Sequence, residues 1–232
     1  MVEGLAQSPE QRPGRKMVEF SGEQLNYFKI ATIVIDELSK GLRQTFKFMW
    51  DNKFGPGELW DDSEAVRNSF LLKEGGAGST EVPTDKSYEE WDSTALFKAT
   101  IFANSFALPD STGHLKTLNH LYVRPRRTPR GDFHSSVVSP FGNQAETFAL
   151  AIDQLRRLRN SFAHVATAKI HKKTFDLYIH HTLEAFVALG LNTEPIDAIG
   201  KLTESDFPTK TVEDLKRKIF YLQLAVGVGL LR

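Results

Sequence analysis

The stretch Leu155-Arg156-Arg157-Leu158-Arg159-Asn160-Ser161-Phe162-Ala163-His164 sets the reading of the whole chain. Phe148, Ile152, Leu155, Arg159 and Phe162 recur every three or four positions, the seam of an amphipathic helix. One seam position is an arginine. A guanidinium stays charged at any working pH, and burying it without a partner is costly. Arg159 therefore either pairs with a carboxylate or is kept for an anion.

Outward from that helix, apolar periodicity predicts a bundle. Ser21 and Gln24 have the spacing of a capping box, and Leu25, Phe28, Ala31, Ile35, Leu38, Leu42, Phe46 and Met49 continue from it at helical spacing. That helix should end near Lys53, because Phe54-Gly55-Pro56-Gly57 cannot extend it. A shorter helix is predicted over 62–72, a loop over 74–86, and a second strong helix from Trp91 through Phe106. Residues 110–142 have no sustained period and form a long irregular insertion before the motif helix, which is predicted over 143–171. Further helices are expected over 174–189, stopped by Gly190, and from Thr211 onward, with 226–231 extending the last one or adding a short strand. The expected fold class is all-α: a polar, disordered lead-in over 1–18 and a single helical domain over 19–232.

Composition narrows the function classes. The 29 basic and 29 acidic residues cancel, so any basic site is local. The absence of cysteine removes disulfide scaffolds, thiol catalysis and cysteine-ligated zinc. No run approaches the ~18 apolar residues of a membrane span, and Met1 to Lys16 hold no apolar signal core, so an intracellular, cytoplasmic protein without a membrane partner is expected.

Arginine and histidine together offer one reaction class. An imidazole near neutrality takes a proton from a ribose 2′-hydroxyl and later returns one. A guanidinium holds the phosphate by two parallel hydrogen bonds. The pair suffices for RNA cleavage through a 2′,3′-cyclic phosphate without metal or cofactor, and not for DNA, which lacks the internal nucleophile. Five residues on a regular helix turn through ~500°, so Arg159 and His164 lie roughly 140° apart. Either the helix is irregular there or a second copy completes the site. Asn160, one turn before His164, is placed to orient the ring. A structural ion pair for Arg159 remains the alternative on spacing alone.

Arg159-Asn160-x-x-x-His164 resembles the Arg-x4–6-His signature of HEPN domains, including the polar residue after the arginine. Asn26-Tyr27-Phe28-Lys29, Leu42-Arg43-x-x-Phe46, Trp50-Asp51 and Glu90-Trp91-Asp92-Ser93-Thr94-x-Leu96-Phe97 are similar to the animal branch found in an RNA-binding ubiquitin ligase and in invertebrate immune-receptor-like chains. The likeness runs from about residue 20 to 190. It implies an α-bundle that dimerises, with the two motifs facing each other in a composite RNase site. Arg159 would then bind the scissile phosphate, His164 act as general base or acid, and Asn160 support them. Inactive dimerisation or RNA-binding adaptors also belong to the family. Nucleotide binding at the arginine without hydrolysis is a third possibility.

Secondary candidates lie nearby. Arg124, Arg126, Arg127 and Arg130 fall within seven residues stiffened by Pro125 and Pro129, a local phosphate-attracting loop or a solvated one. Arg156 and Arg157 extend the phosphate track or form helix-surface salt bridges. His171, His180 and His181 give no metal site on this reading, since neighbouring helical residues point apart and no carboxylate cluster joins them. Trp50, Trp60 and Trp91 read as core and interface anchors.

Overall fold

The computed structural model describes residues 20–76, 82–126, 128–129 and 131–229. The expected lead-in over 1–18 and the centre of the 74–86 loop fall outside them. Eight α-helices carry the described chain: α1 Gly22–Thr32, α2 Leu38–Phe54, α3 Glu64–Glu74, α4 Ser93–Thr100, α5 Gln144–Ala163, α6 Lys172–Ala188, α7 Glu194–Lys201 and α8 Thr209–Gly229. The only strands among the described residues are the two-residue pair Leu108–Pro109 and Leu115–Lys116, antiparallel. The chain is all-α in class.

The capping box forms as the spacing predicts: Ser21 Oγ accepts from Gln24 N at 3.3 Å, and Ser21 N donates to Gln24 Oε1 at 2.9 Å. A π-helical turn, Ile33–Glu37, joins α1 to α2 without a break. The β-branched run Ile33-Val34-Ile35 sits in that wider turn, and Ile33, Val34 and Leu38 are fully buried on either side of the junction. α2 stops at Phe54, where Gly55-Pro56-Gly57 follows. α6 stops at Leu189 and Gly190, the glycine at φ 70°.

Two helix ends and one whole helix differ from the sequence expectation. α4 ends at Thr100 rather than Phe106. Asn119 N donates to Ile101 O at 2.8 Å, and the buried Glu74 carboxylate caps a separate short turn by accepting from Asn104 N at 2.9 Å and Ser105 N at 2.7 Å. α5 ends at Ala163, not near His171. No glycine or proline stops it; Ile170 N instead donates to Glu23 O at 3.0 Å while Asn26 Nδ2 donates to Ile170 O at 3.1 Å, so the chain after the motif is drawn onto α1. α7 was not expected; it buries Ile196 and Ile199 under α6 and the π turn.

One hydrophobic cluster runs from Tyr27 in α1 to Ile219 in α8. Trp50, Trp60 and Trp91 all belong to it. Phe46 is at its aromatic centre, with Trp50, Trp60, Phe70, Tyr88, Trp91 and Phe106 at ring-centroid distances between 4.7 and 6.1 Å. Residues of the first helix and of α2 act as fasteners here. Tyr27 packs on Phe162, Lys29 donates to Gly200 O at 2.9 Å, and Arg43 donates to the carbonyls of Tyr88, Glu89 and Trp91. α5 crosses the middle of the bundle, against α4, α6, α8 and the π turn.

Candidate functional site

α5 is capped by Asn143, whose Oδ1 accepts from Glu146 N at 3.1 Å. Its predicted seam is the buried one: Phe148, Ile152, Leu155, Arg159 and Phe162 all face the core. Arg159 is 5% exposed. Its Nη2 donates to Thr94 Oγ1 at 2.8 Å, its guanidinium lies over the Phe97 ring at 5.4 Å, and its Nε has no hydrogen-bond partner. No carboxylate pairs with it among the described residues. Burial pushes its pKa down to about 10, Asp92 opposing and Arg156 adding to the shift. The group is thus a cation at neutral pH, set in the core with a hydroxyl and a ring face for company. Asp92 acts on the guanidinium electrostatically without a salt bridge to it.

His164 is the C-cap residue of α5, exposed, at φ −91° and ψ 3°. Its backbone N donates to Asn160 O at 3.2 Å. The Asn160 amide makes no hydrogen bond to the ring, so the expected side-chain orientation is replaced by a backbone tie. The helix is regular to Ala163, which leaves Arg159 on the buried side and His164 in solvent. The irregular-helix route to bringing them together is absent, and a single chain does not set both on one open surface.

Arg156 and Arg157 are committed elsewhere. Asp153, fully buried, accepts from Arg156 Nε at 2.7 Å, from Arg157 Nε at 2.6 Å and from His134 Nε2 at 2.8 Å, with Arg156 Nη2 in ion-pair contact at 2.6 Å. Arg157 Nη1 also donates to Asp132 O at 2.9 Å and Pro129 O at 3.3 Å. Burial raises the Asp153 pKa, but the His134 hydrogen bond and the two guanidiniums outweigh it and hold the carboxyl well below its ordinary range. These arginines do form salt bridges, to a buried carboxylate instead of surface partners, and the network fastens the insertion to α5. Arg126 pairs with Glu146 at 2.7 Å; Arg124 is exposed with no ion pair among the described residues; Arg127 and Arg130 lie outside them.

Thr94, Phe97, Asp153 and His134 are the site neighbours that sequence reasoning passed over. Asp153 had a usable signal, since it stands three and four residues before the two arginines. His134 had none. Ligand atoms of His180, His181 and Glu184 lie within 4.8 Å of one another, and His181 Nδ1 is 2.8 Å from Gln154 Nε2.

Comparison with protein-family models, with curated proteins and with solved structures finds no match to this chain. No helix among the described residues is long and apolar enough to cross a membrane.

Proposed function

We propose that the chain is a HEPN-type endoribonuclease that cleaves RNA without a metal, at a composite site made by two copies of itself. The observation that carries this reading is Arg159: a nine-tenths buried guanidinium with a free Nε and no carboxylate partner among the described residues. A protein tolerates that desolvation where an anion completes the site, and a phosphodiester accepts two parallel hydrogen bonds from such a fork. His164, exposed at the C-terminal end of the same helix, supplies a proton acceptor. In the reaction one imidazole takes the proton of the ribose 2′-hydroxyl, O2′ bonds to phosphorus, and the P–O5′ bond breaks. The leaving 5′-oxygen receives a proton from the second copy's imidazole, and Arg159 stabilises the charge on the phosphoryl oxygens. The two-fold arrangement answers the roughly 140° separation on a regular helix.

The test is incubation of the purified chain with mixed-sequence labelled RNA in excess EDTA, beside Arg159→Ala and His164→Ala. Cleavage leaving cyclic-phosphate ends in the parent and in neither variant supports the reading. Equal cleavage by all three sinks it. The 5% exposure of Arg159 favours a second reading, a dimerisation or RNA-binding adaptor without catalysis. A stable dimer with no cleavage in any of the three proteins would select that reading.

A further inference from the structure

The Arg159 guanidinium makes one hydrogen bond among the described residues, and its partner differs from the other helical threonines. Thr32, Thr45, Thr100 and Thr182 each donate their hydroxyl proton to the carbonyl four residues earlier, at 2.7 to 3.0 Å. Thr94 is the second residue of α4, where no helical carbonyl stands four residues behind it. A guanidinium only donates, so Thr94 Oγ1 accepts from Arg159 Nη2 at 2.8 Å and keeps its own proton. That proton has no acceptor among the described residues. Arg159 Nε has none either. An O–H and an N–H, linked through one hydrogen bond, are left unspent side by side.

The surroundings favour an anion. Phe97, one turn after Thr94 on α4, covers one side of the guanidinium at 5.4 Å, so a further partner must approach another way. The buried arginine is aimed at the N-terminus of α4. There the Asp92 side chain serves Ala95 N at 2.8 Å and the Asp92 carbonyl serves Leu96 N at 3.0 Å. The amides of Ser93 and Thr94, the first two of the helix, have no partner among the described residues. Such amides carry the positive end of the helix dipole. Asp92 is exposed and makes no salt bridge with Arg159, so it offsets part of the charge without filling the site. Thr94 is only half-buried, which gives the site a door to solvent that Arg159 alone lacks.

We propose that Thr94 and Arg159 together form a phosphate cradle at the N-terminus of α4, the Thr94 hydroxyl donating to one phosphate oxygen and the guanidinium to another. Phosphate suits this donor set: it offers several anionic acceptor oxygens, and a helix N-terminus complements its charge. The inference rests on the reading of Arg159 as the phosphate ligand. It adds a second ligand on a different helix, which fixes where the phosphate sits, and it is tested apart from cleavage.

The experiment uses the whole chain and two probes: inorganic phosphate, against chloride at equal ionic strength, and a labelled 2′-O-methyl RNA, which lacks the attacking hydroxyl. Phosphate affinity is read from the concentration-dependent rise in Tm, and RNA affinity from fluorescence anisotropy. Thr94→Val keeps the side-chain shape and removes the hydroxyl. It should weaken phosphate binding by about 10-fold or more, the low end for a hydrogen bond to a charged group, and Thr94→Ser should restore it. A merely structural threonine would shift Tm equally at every phosphate concentration and leave the apparent Kd unchanged. Thr94→Ala, which loses the same hydroxyl, is the second variant should Thr94→Val fail to fold by circular dichroism. RNA affinity that falls in step supports the cradle with an RNA phosphodiester in it; RNA affinity that holds while phosphate affinity falls supports it with a free phosphate. A parent whose Tm ignores phosphate, or a folded hydroxyl-free variant with parent-like phosphate affinity, overturns the proposal even if the chain cleaves RNA. Phosphate binding that depends on Thr94 in a chain that cleaves nothing would sink the ribonuclease reading and leave the cradle standing.

Discussion

Replacing Asp153 by asparagine keeps its shape and removes its charge. In the parent, three N–H donors, one each from His134, Arg156 and Arg157, converge on two carboxylate oxygens that are sealed from solvent. An asparagine offers one acceptor and turns an NH2 toward a guanidinium. The Arg156 side chain, 29% exposed, has room to swing into water; the Arg157 side chain, 13% exposed, is pinned by Asp132 O and Pro129 O and stays as an uncompensated cation. Removing one partner of a buried pair costs about 3–5 kcal/mol, and the escape of Arg156 puts this case at the low end, about 3. At ~2–4 °C per kcal/mol for a domain of this size, Tm should fall by roughly 6–12 °C at pH 7. The pH dependence follows from the sign of the shift. A carboxyl whose folded pKa is depressed contributes stability above its unfolded pKa of about 3.9 and loses it as pH falls through the folded value. The gap between parent and Asp153→Asn should thus hold from pH 7 to about pH 5 and narrow only below about pH 4. Thermal unfolding followed by circular dichroism across that range is the assay. A variant within ~2 °C of the parent at pH 7 would refute the ledger. A gap that closes between pH 7 and pH 5 would refute the assignment to the carboxylate.

Arg159→Met should leave Tm unchanged or raise it by a few degrees, because it removes a desolvated charge with an unsatisfied Nε and keeps the stem volume; a large fall in differential scanning calorimetry would mean that an unseen partner holds the guanidinium. Phe46→Ala should cost about 3–5 kcal/mol by urea unfolding, since it empties the centre of six aromatic contacts. Gly190→Ala should cost about 1 kcal/mol on the same assay: nothing lies within 4 Å of the added Cβ, so only the strain of φ 70° remains.

Local chemistry made much of this fold legible. The Ser21–Gln24 box, the Gly55-Pro56-Gly57 stop, the Gly190 stop and the seam of α5 are properties of neighbouring residues, and all appear where the spacing puts them. The misplaced ends of α4 and α5 are set by partners far along the chain, Asn119 on Ile101 and Glu23 with Asn26 on Ile170. α7 is short, with Pro195 at its second position, and only its packing against α6 makes its two isoleucines a core face. At the site, the burial of Arg159 followed from periodicity, but its hydroxyl partner is 65 residues away in Thr94. The pairing of Arg156 and Arg157 was readable as an alternative; that it would recruit His134 from the insertion was not, because no pattern links positions 134 and 153.

The draw of Ile170 onto α1 fixes what can be transplanted. His164 sits where α5 lets go, and the letting-go is enforced by Glu23 and Asn26, some 140 residues upstream. A helix carrying residues 144–164 into another bundle would carry the arginine's seam with it. It would not carry the stop, and in a host without those two α1 contacts the helix is free to run on past residue 164, turning His164 from a helix cap into one more helical side chain. The smallest portable unit of the motif is therefore two pieces of chain, α5 with its following loop and the first turns of α1, held together by two hydrogen bonds to one isoleucine.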